Sequence, residues 1–175
     1  MKITKALINE RDVLAMSLYL KRFHPRFCLL WELGIITGLR IGDLLKLKPN
    51  SFQSGTLTVT EQKTKKERTI KIHNDVIFDI NFFAKMFHVK PDQYIFYSRA
   101  DRKHKHMTRQ WAHRIIHRTA QNNGLDFIGA HSMRKIYACN LFSSSGSVNA
   151  VQADLGHKHM STTLIYLKDL LEGIK

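Results

Sequence analysis

The sequence predicts a mainly helical α+β fold with one small antiparallel sheet. Apolar residues recur every three to four positions over most of the chain, which is the spacing of one helix face. Strict alternation occurs only at residues 56–62 and 68–72, on either side of a basic turn, and this predicts two antiparallel strands joined by a hairpin. Only three prolines and no low-complexity linker interrupt the 175 residues, so we expect a single continuous domain.

Four helices are predicted in the first half from apolar stripes with recognisable ends. The first runs from Asn9 to about Leu20, and the second, RFCLLWELGIIT, is largely apolar and ends at Gly38. A short helix in LRIGDLLKL closes before Pro49. After the hairpin, DVIFDINFFAKMF predicts a fourth helix, and YIFY predicts a short strand or extended segment.

Four further helices are predicted in the C-terminal half. TRQWAHRIIHRTAQN has a cationic side and an apolar side, the latter formed by Trp111, Ile115, Ile116 and Ala120. HSMRKIYACNLFSSS and VNAVQADL follow, and the second of these ends at Gly156. The last helix, STTLIYLKDLLEG, has Ser161 or Thr162 as its predicted N-cap.

The charge of the chain points to a polyanionic partner. Lys and Arg number 28 against 14 Asp and Glu, which gives a formal net charge of +14. Nucleic acid is therefore the expected partner. The sequence has neither an apolar stretch of membrane-spanning length nor a signal peptide, so we expect a soluble, cytoplasmic protein without a membrane partner. Cys28 and Cys139 lie in apolar surroundings and are expected to be reduced core residues.

The first candidate motif is TGLRIGDLLKL, in which Arg40 follows a glycine-containing break between two helices. Apolar neighbours make this an unfavourable place for a guanidinium unless an anion or an acid binds it. Asp43 could orient Arg40. The alternative interpretation is an ordinary structural salt bridge.

The second motif is HSMR, where His131 and Arg134 share one helix face. An imidazole beside a permanent cation suits a phosphate under attack, because one handles a proton and the other neutralises developing charge. An isolated His-x-x-Arg is common, however, and usually has no functional meaning.

The third motif is the hairpin QKTKKERTIKI, whose cations are expected to project from the turn. A lysine placed against a phosphate can also donate a proton to a leaving alkoxide. A solvated basic loop is the alternative, and it is equally compatible with Lys65 and Lys66. The four cations concerned are Lys63, Lys65, Lys66 and Arg68.

The fourth motif is LGHKHMSTTLIYL, with His157 and Tyr166 nine positions apart. Tyr166 is either one more half-buried aromatic of a terminal helix or a nucleophile. Two arginines, two histidines, a hairpin lysine and a late tyrosine together form an inventory of phosphate ligands, proton handlers and nucleophile. That inventory requires no metal.

In this order, the four motifs resemble the catalytic domain of the tyrosine recombinases, the phage integrase family. TGLRIGDLLKL resembles the first-arginine motif, QKTKKERTIKI the β-hairpin lysine segment, HSMR the His-x-x-Arg box, and LGHKHMSTTLIYL the Leu-Gly-His and Tyr ending. The resemblance extends from INERDV to the last helix. It implies the tyrosine recombinase catalytic-domain fold. Lys135 stands where the family often has histidine.

The resemblance also implies a role for each residue. Arg40, Arg134 and His157 would bind the scissile phosphate, and His131 would transfer a proton or bind phosphate. Lys63 would be the general acid for the leaving 5′-oxygen, and Asp43 would support the site. Tyr166 would attack and become linked to the DNA 3′-phosphate. The expected DNA-contacting residues are Lys65, Lys66, Arg68, Arg109 and Arg114.

The expected function is site-specific cleavage and rejoining of double-stranded DNA without cofactor or metal, with self-association on DNA as a synaptic tetramer by family resemblance. The 175 residues are expected to form one catalytic domain without the N-terminal clamp domain common in the family. Two alternatives are a recombinase-like DNA-binding accessory or regulatory factor and a type IB topoisomerase-like enzyme. The His113/His117 pair and the HKH triplets at residues 104–106 and 157–159 have histidine spacings seen in metal sites, but surface or DNA-backbone roles are favoured over zinc.

Overall fold

The computed structural model describes residues 10–63, 65–101, 105–125 and 127–173. Within these ranges the chain forms eight α-helices and three β-strands, so the predicted mainly helical fold with a small antiparallel sheet is confirmed. The helices are α1 Glu10–Phe23, α2 Pro25–Thr37, α3 Ile41–Leu44, α4 Asn74–Met86, α5 Arg109–Asn122, α6 Ser132–Ser145, α7 Val148–Leu155 and α8 Met160–Gly173. The strands are β1 Phe52–Gln53, β2 Thr56–Thr60 and β3 Glu67–Lys71.

The chain divides into two compact units, one comprising Ile41–Ala112 and the other comprising the residues up to Arg40 and from His113 onward. In the latter, helical unit, α6 packs against α2, α7 and α8. Close approach of α2 and α6 depends on Gly34, because a Cβ there would overlap the Met133 side chain. A core of apolar side chains from α6, α7 and α8 includes the ring of Tyr166.

The unit Ile41–Ala112 contains the sheet, α3 and α4. The strands form an antiparallel meander in the order β1-β2-β3, with Leu57 opposite Phe52 on one side and Ile70 on the other. Alternation buries Leu57 and leaves Thr58 exposed, as expected for a sheet with one covered face. The first α-helix of this unit, α3, begins directly after Arg40.

Several local predictions need correction. Strand β1 was not predicted, because two residues are too short to show alternation. Trp111 was assigned to the apolar side of α5, yet it is 44% exposed, and the side chains buried on that helix are Ala112, Ile116, Thr119 and Ala120. Helix α8 begins at Met160, so Ser161 and Thr162 lie in its first turn rather than at its N-cap. Asn9, the predicted start of α1, lies outside the described residues.

Of the helices in the described part of the chain, none has both the length and the apolar character needed to cross a membrane.

Candidate active site

Tyr166 lies on α8 with its ring between two imidazoles. Its ring centroid is 5.1 Å from that of His131 and 4.8 Å from that of His157, and both contacts are edge-on. The side chain is only 8% exposed, and its hydroxyl forms a hydrogen bond with Nε2 of His131. The ring therefore packs in the core, as expected for an aromatic side chain of a terminal helix, while the hydroxyl forms a specific hydrogen bond.

Two opposing influences act on the Tyr166 hydroxyl. Burial raises its pKa, whereas the charge of Arg134, a hydrogen bond with Arg134 and the charge of Arg40 act to lower it. Burial prevails, so the pKa lies above the ordinary value of 10.0. The phenol thus keeps its proton at neutral pH, and its oxygen is within the influence of two arginines.

His131 is a neutral imidazole at physiological pH. Its residue keeps an exposed edge, but crowding of the ring by protein and the charges of nearby cations lower its pKa from 6.5 to about 4. After burial, the largest cause is Arg134, followed by Lys135, His113 and Arg40. His131 also occupies the N-cap position of α6, where the helix dipole disfavours a positive charge. An uncharged imidazole bonded to a phenol can accept that phenol's proton.

Arg134 is a buried cation held by the ends of two helices. It is 2% exposed, and its guanidinium donates hydrogen bonds from Nη1 to the carbonyl of Gly38 and from Nη2 to the carbonyl of Leu155. Gly38 caps α2 and Leu155 is the last residue of α7, so both carbonyls lie at the negative ends of helix dipoles. Five N–H donors allow a guanidinium to bind two carbonyls and still bind an anion.

His157 follows the left-handed Gly156 that ends α7. Its Nδ1 is 3.0 Å from the hydroxyl oxygen of Thr163, and its backbone carbonyl accepts a hydrogen bond of 3.1 Å from the side chain of Gln152. Thr163 is fully buried on α8, one turn before Tyr166. Thr163, the second threonine of the last motif, thus orients the ring of His157, a role that has no signal of its own in the sequence.

Arg40 is half-buried and follows the turn that ends α2. Its charge acts on both Tyr166 and His131, as noted above. The helical unit therefore brings together five of the predicted site residues, which come from three of the four sequence motifs. These residues are Arg40, His131, Arg134, His157 and Tyr166.

Lys135, which directly follows Arg134 in the sequence, is a buried lysine. It is 5% exposed, and burial lowers its pKa, while Asp169 on α8 acts in the opposite direction. In the sequence, Lys135 stands out only as a departure from the family pattern. Its burial was not apparent because lysine is normally a surface residue, whereas the first half of α6 is almost entirely buried.

The predicted hairpin residues and Asp43 lie in the other unit, Ile41–Ala112. Lys63, Lys65 and Lys66 are exposed on the turn between β2 and β3. Asp43 is 3% exposed, and its Oδ1 accepts a hydrogen bond of 3.0 Å from the backbone N–H of Gln62. Asp43 is thus bonded to the start of the hairpin.

Arg68 differs from its predicted placement on the turn. It lies within β3, is half-buried, and its Nη1 is 3.4 Å from the carboxylate of Glu61. Glu61 is itself buried, so the pair braces the base of the hairpin. The predicted strand at residues 56–62 included Glu61, but β2 ends at Thr60, so Glu61 lies beyond the regular ladder and its pairing with Arg68 did not follow from the alternation.

Arg109 and Arg114 are both exposed on α5, on the cationic side that the sequence predicted. Arg109 packs against Gly42, where an added Cβ would lie 3.0 Å from its Nε. Burial and the neighbouring His117 lower the pKa of His113 on the same helix. In the described ranges, no group of three or more His, Cys, Asp or Glu side chains could hold a metal ion; His104 falls outside them.

Comparison with known proteins gives consistent matches. A model of the phage integrase family matches residues 8–172. The probable integrase/recombinase YoeC of Bacillus subtilis (strain 168) is 30% identical over 168 residues, covering 95% of this chain and 91% of YoeC. Several other curated relatives are longer, and the chain spans about half their length.

Two solved structures share the fold. The crystal structure of XerA recombinase matches with a TM-score of 0.76 at 20% identity, covering 93% of this chain and 60% of that one. XerH site-specific recombinase, bound to palindromic difH substrate in a post-cleavage complex, matches with a TM-score of 0.74 at 23% identity. That match covers 99% of this chain and 53% of XerH.

Proposed function

We propose, from the premise that this chain belongs to the phage integrase family, that it is a tyrosine-type site-specific DNA recombinase with Tyr166 as its nucleophile. The observation that supports this most strongly is the hydrogen bond between the Tyr166 hydroxyl and the neutral imidazole of His131. A phenol with a raised pKa needs a base to become a nucleophile, and a neutral imidazole bonded to it is such a base.

The proposed cleavage step balances in bonds and protons. The Tyr166 oxygen forms a bond to the scissile phosphorus, and the hydroxyl proton passes to Nε2 of His131. The bond from phosphorus to the 5′-oxygen breaks, and Lys63 donates a proton to that oxygen. The products are a 3′-phosphotyrosine and a 5′-hydroxyl. Rejoining is the reverse reaction with a new 5′-hydroxyl, so no external energy source is needed.

Arg40, Arg134 and His157 would bind the non-bridging oxygens of the phosphate. Charge develops on these oxygens in the transition state, and donors already held in place stabilise it without reorganising. Arg134 meets this condition because two helix-end carbonyls hold its guanidinium. Since all five residues belong to one unit of one chain, we propose that Tyr166 attacks in cis, on the phosphate bound by its own chain.

Double-stranded DNA is the proposed substrate. The net charge of +14 favours a polyanion, and exposed cations on α5 and the hairpin can neutralise phosphates. XerH, which shares the fold, was solved with its difH substrate. We further propose that the two units act as one catalytic domain, that copies of the chain associate on DNA, and that the protein acts in the cytoplasm.

A nicked suicide DNA substrate tests this function. After cleavage of such a substrate the strand with the 5′-hydroxyl diffuses away, and the covalent protein–DNA adduct accumulates. We expect an adduct with the unaltered chain and none with Tyr166→Phe, since only the nucleophilic oxygen is removed. Tyr97→Phe is the matched control, because Tyr97 lies in the other unit, and it should form adduct normally.

Binding of DNA without any adduct by the unaltered chain would instead support the accessory-factor alternative. An adduct that persists in Tyr166→Phe would exclude Tyr166 as the nucleophile.

A further inference from the structure

The start of the basic hairpin is tied to the segment that follows Arg40 in the chain. The backbone N–H of Gln62 donates to Oδ1 of Asp43 at 3.0 Å, and Nε2 of the same glutamine donates to the carbonyl of Gly42 at 2.8 Å. One residue thus makes two hydrogen bonds to two consecutive residues, about 20 positions away in the sequence.

The two residues that accept these hydrogen bonds are themselves packed in the fold. Asp43 is buried, and Gly42 lies in α3 with the guanidinium of Arg109 packed against it. A carbonyl in a packed helix restrains its hydrogen-bond donor better than a carbonyl in a loop, because the helix backbone does not move together with the donor. Gln62 is therefore fixed relative to α3, and not only relative to the strands of its own hairpin.

Lys63, by contrast, has an exposed side chain on the turn. The last residue pair of the β2–β3 ladder is Thr60 with Glu67, so Lys63 lies beyond the regular strands. Backbone bonds of 2.9 Å between Glu61 and residues 65 and 66 close the base of the turn. Gln62, directly before Lys63, connects this part of the backbone to α3, outside the hairpin.

The geometry points to Gln62 as a positioning residue for Lys63, acting through its side-chain hydrogen bond to Gly42. This inference rests on the general-acid role proposed above for Lys63. A proton donor contributes to catalysis only when it is held within hydrogen-bond reach of the leaving oxygen, and a long lysine side chain on an unsupported turn would spend little time there.

The experiment compares two substrates in single-turnover cleavage. One has the ordinary 5′-oxygen leaving group, and the other has a 5′-bridging sulfur, which departs as a thiolate and needs no proton. The variant is Gln62→Met, which keeps the length of the side chain but removes the donor to Gly42. The matched control is Gln53→Met, because Gln53 lies in the same sheet and its Nε2 also donates to a backbone carbonyl, that of Asn50 at 3.2 Å.

We expect Gln62→Met to slow cleavage of the ordinary substrate about 3- to 10-fold, the usual effect of one neutral hydrogen bond. On the sulfur substrate, Gln62→Met should cleave as fast as the unaltered chain. Gln53→Met should be normal on both. A merely structural defect would slow both substrates alike, so the ratio between them distinguishes positioning from misfolding.

Lys63→Ala, measured in parallel, separates this inference from its premise. Suppose that the sulfur substrate restores the cleavage rate of Lys63→Ala. If Gln62→Met is then slowed equally on both substrates, or is slowed on neither, Gln62 does not position Lys63. If Lys63→Ala is slowed equally on both, the general-acid role of Lys63 is wrong, and the inference about Gln62 is wrong with it.

Discussion

At the scale of single residues, the charge state of His131 decides whether it can accept the Tyr166 proton. A protonated imidazole could only donate to the Tyr166 oxygen, whereas a neutral one can accept its proton. Crowding of the ring and four neighbouring cationic or titratable groups keep the pKa of His131 low. Those groups include Arg134 and Arg40, the same arginines proposed to bind phosphate, so the positive charge that would bind the phosphate also keeps the imidazole unprotonated, although it makes the imidazole a weaker base.

The lowered pKa of His131 predicts a specific dependence of stability on pH. In the unfolded chain His131 binds a proton near pH 6.5, but in the folded chain only near pH 4. Between these values the unfolded state binds more protons, so the free energy of unfolding should fall as the pH is lowered from 6.5 to 4. His131→Gln removes this contribution, and urea unfolding at pH 7 and pH 5 measures it.

From pH 7 to pH 5, the free energy of unfolding of the unaltered chain should therefore fall more than that of His131→Gln. An identical difference at both pH values would show that His131 titrates normally in the folded protein.

At the scale of secondary-structure elements, helix ends organise the site. Arg134 binds carbonyls at the ends of α2 and α7, and His131 lies at the start of α6. The turn at Gly38 is tightly constrained. It has a left-handed φ of 62°, and the ring of Tyr137 lies where a Cβ would be.

Gly38→Ala should therefore be costly in two ways. The left-handed conformation costs a residue with a Cβ about 1–2 kcal/mol, and overlap with Tyr137 adds about 1–3 kcal/mol. Gly146→Ala is the matched control, since Gly146 caps α6 with the same φ of 62° but has no atom within 4 Å of its Cβ position.

Urea unfolding should show a larger loss of stability for Gly38→Ala than for Gly146→Ala, and adduct formation should fall only in Gly38→Ala. Equal losses in the two variants would mean that Tyr137 yields without cost and that the Gly38 carbonyl keeps its position.

Most elements could be predicted because their apolar periodicity and glycine ends are local signals. The hairpin, the cationic side of α5 and the helix ends at Gly38 and Gly156 followed from such signals. Contacts between distant stretches could not be predicted in the same way. The bonds of Gln62 to Gly42 and Asp43, and that of Thr163 to His157, depend on tertiary packing, and a lone glutamine or threonine has no sequence signal of its own.

At the scale of the whole molecule, one unit of one chain contains the proposed nucleophile, its proposed base and the three proposed phosphate ligands. The motifs are far apart in the sequence, between residues 40 and 166, but the packing of α6 against α2, α7 and α8 brings them together. An enzyme assembled in trans would instead take its tyrosine from a neighbouring copy on the DNA. In the proposed mechanism, Tyr166 attacks the phosphate bound by its own chain.

A mixing experiment with two variants that should each be inactive distinguishes attack in cis from attack in trans. Tyr166→Phe keeps the proposed phosphate ligands but lacks the proposed nucleophile, and Arg40→Gln keeps that nucleophile but lacks one of the proposed phosphate ligands. Mixed in equal amounts on the suicide substrate, they should form no more adduct than either variant alone, because neither chain has a complete site. Recovery of adduct in the mixture, with the DNA attached to the Arg40→Gln chain, would contradict cis attack by Tyr166.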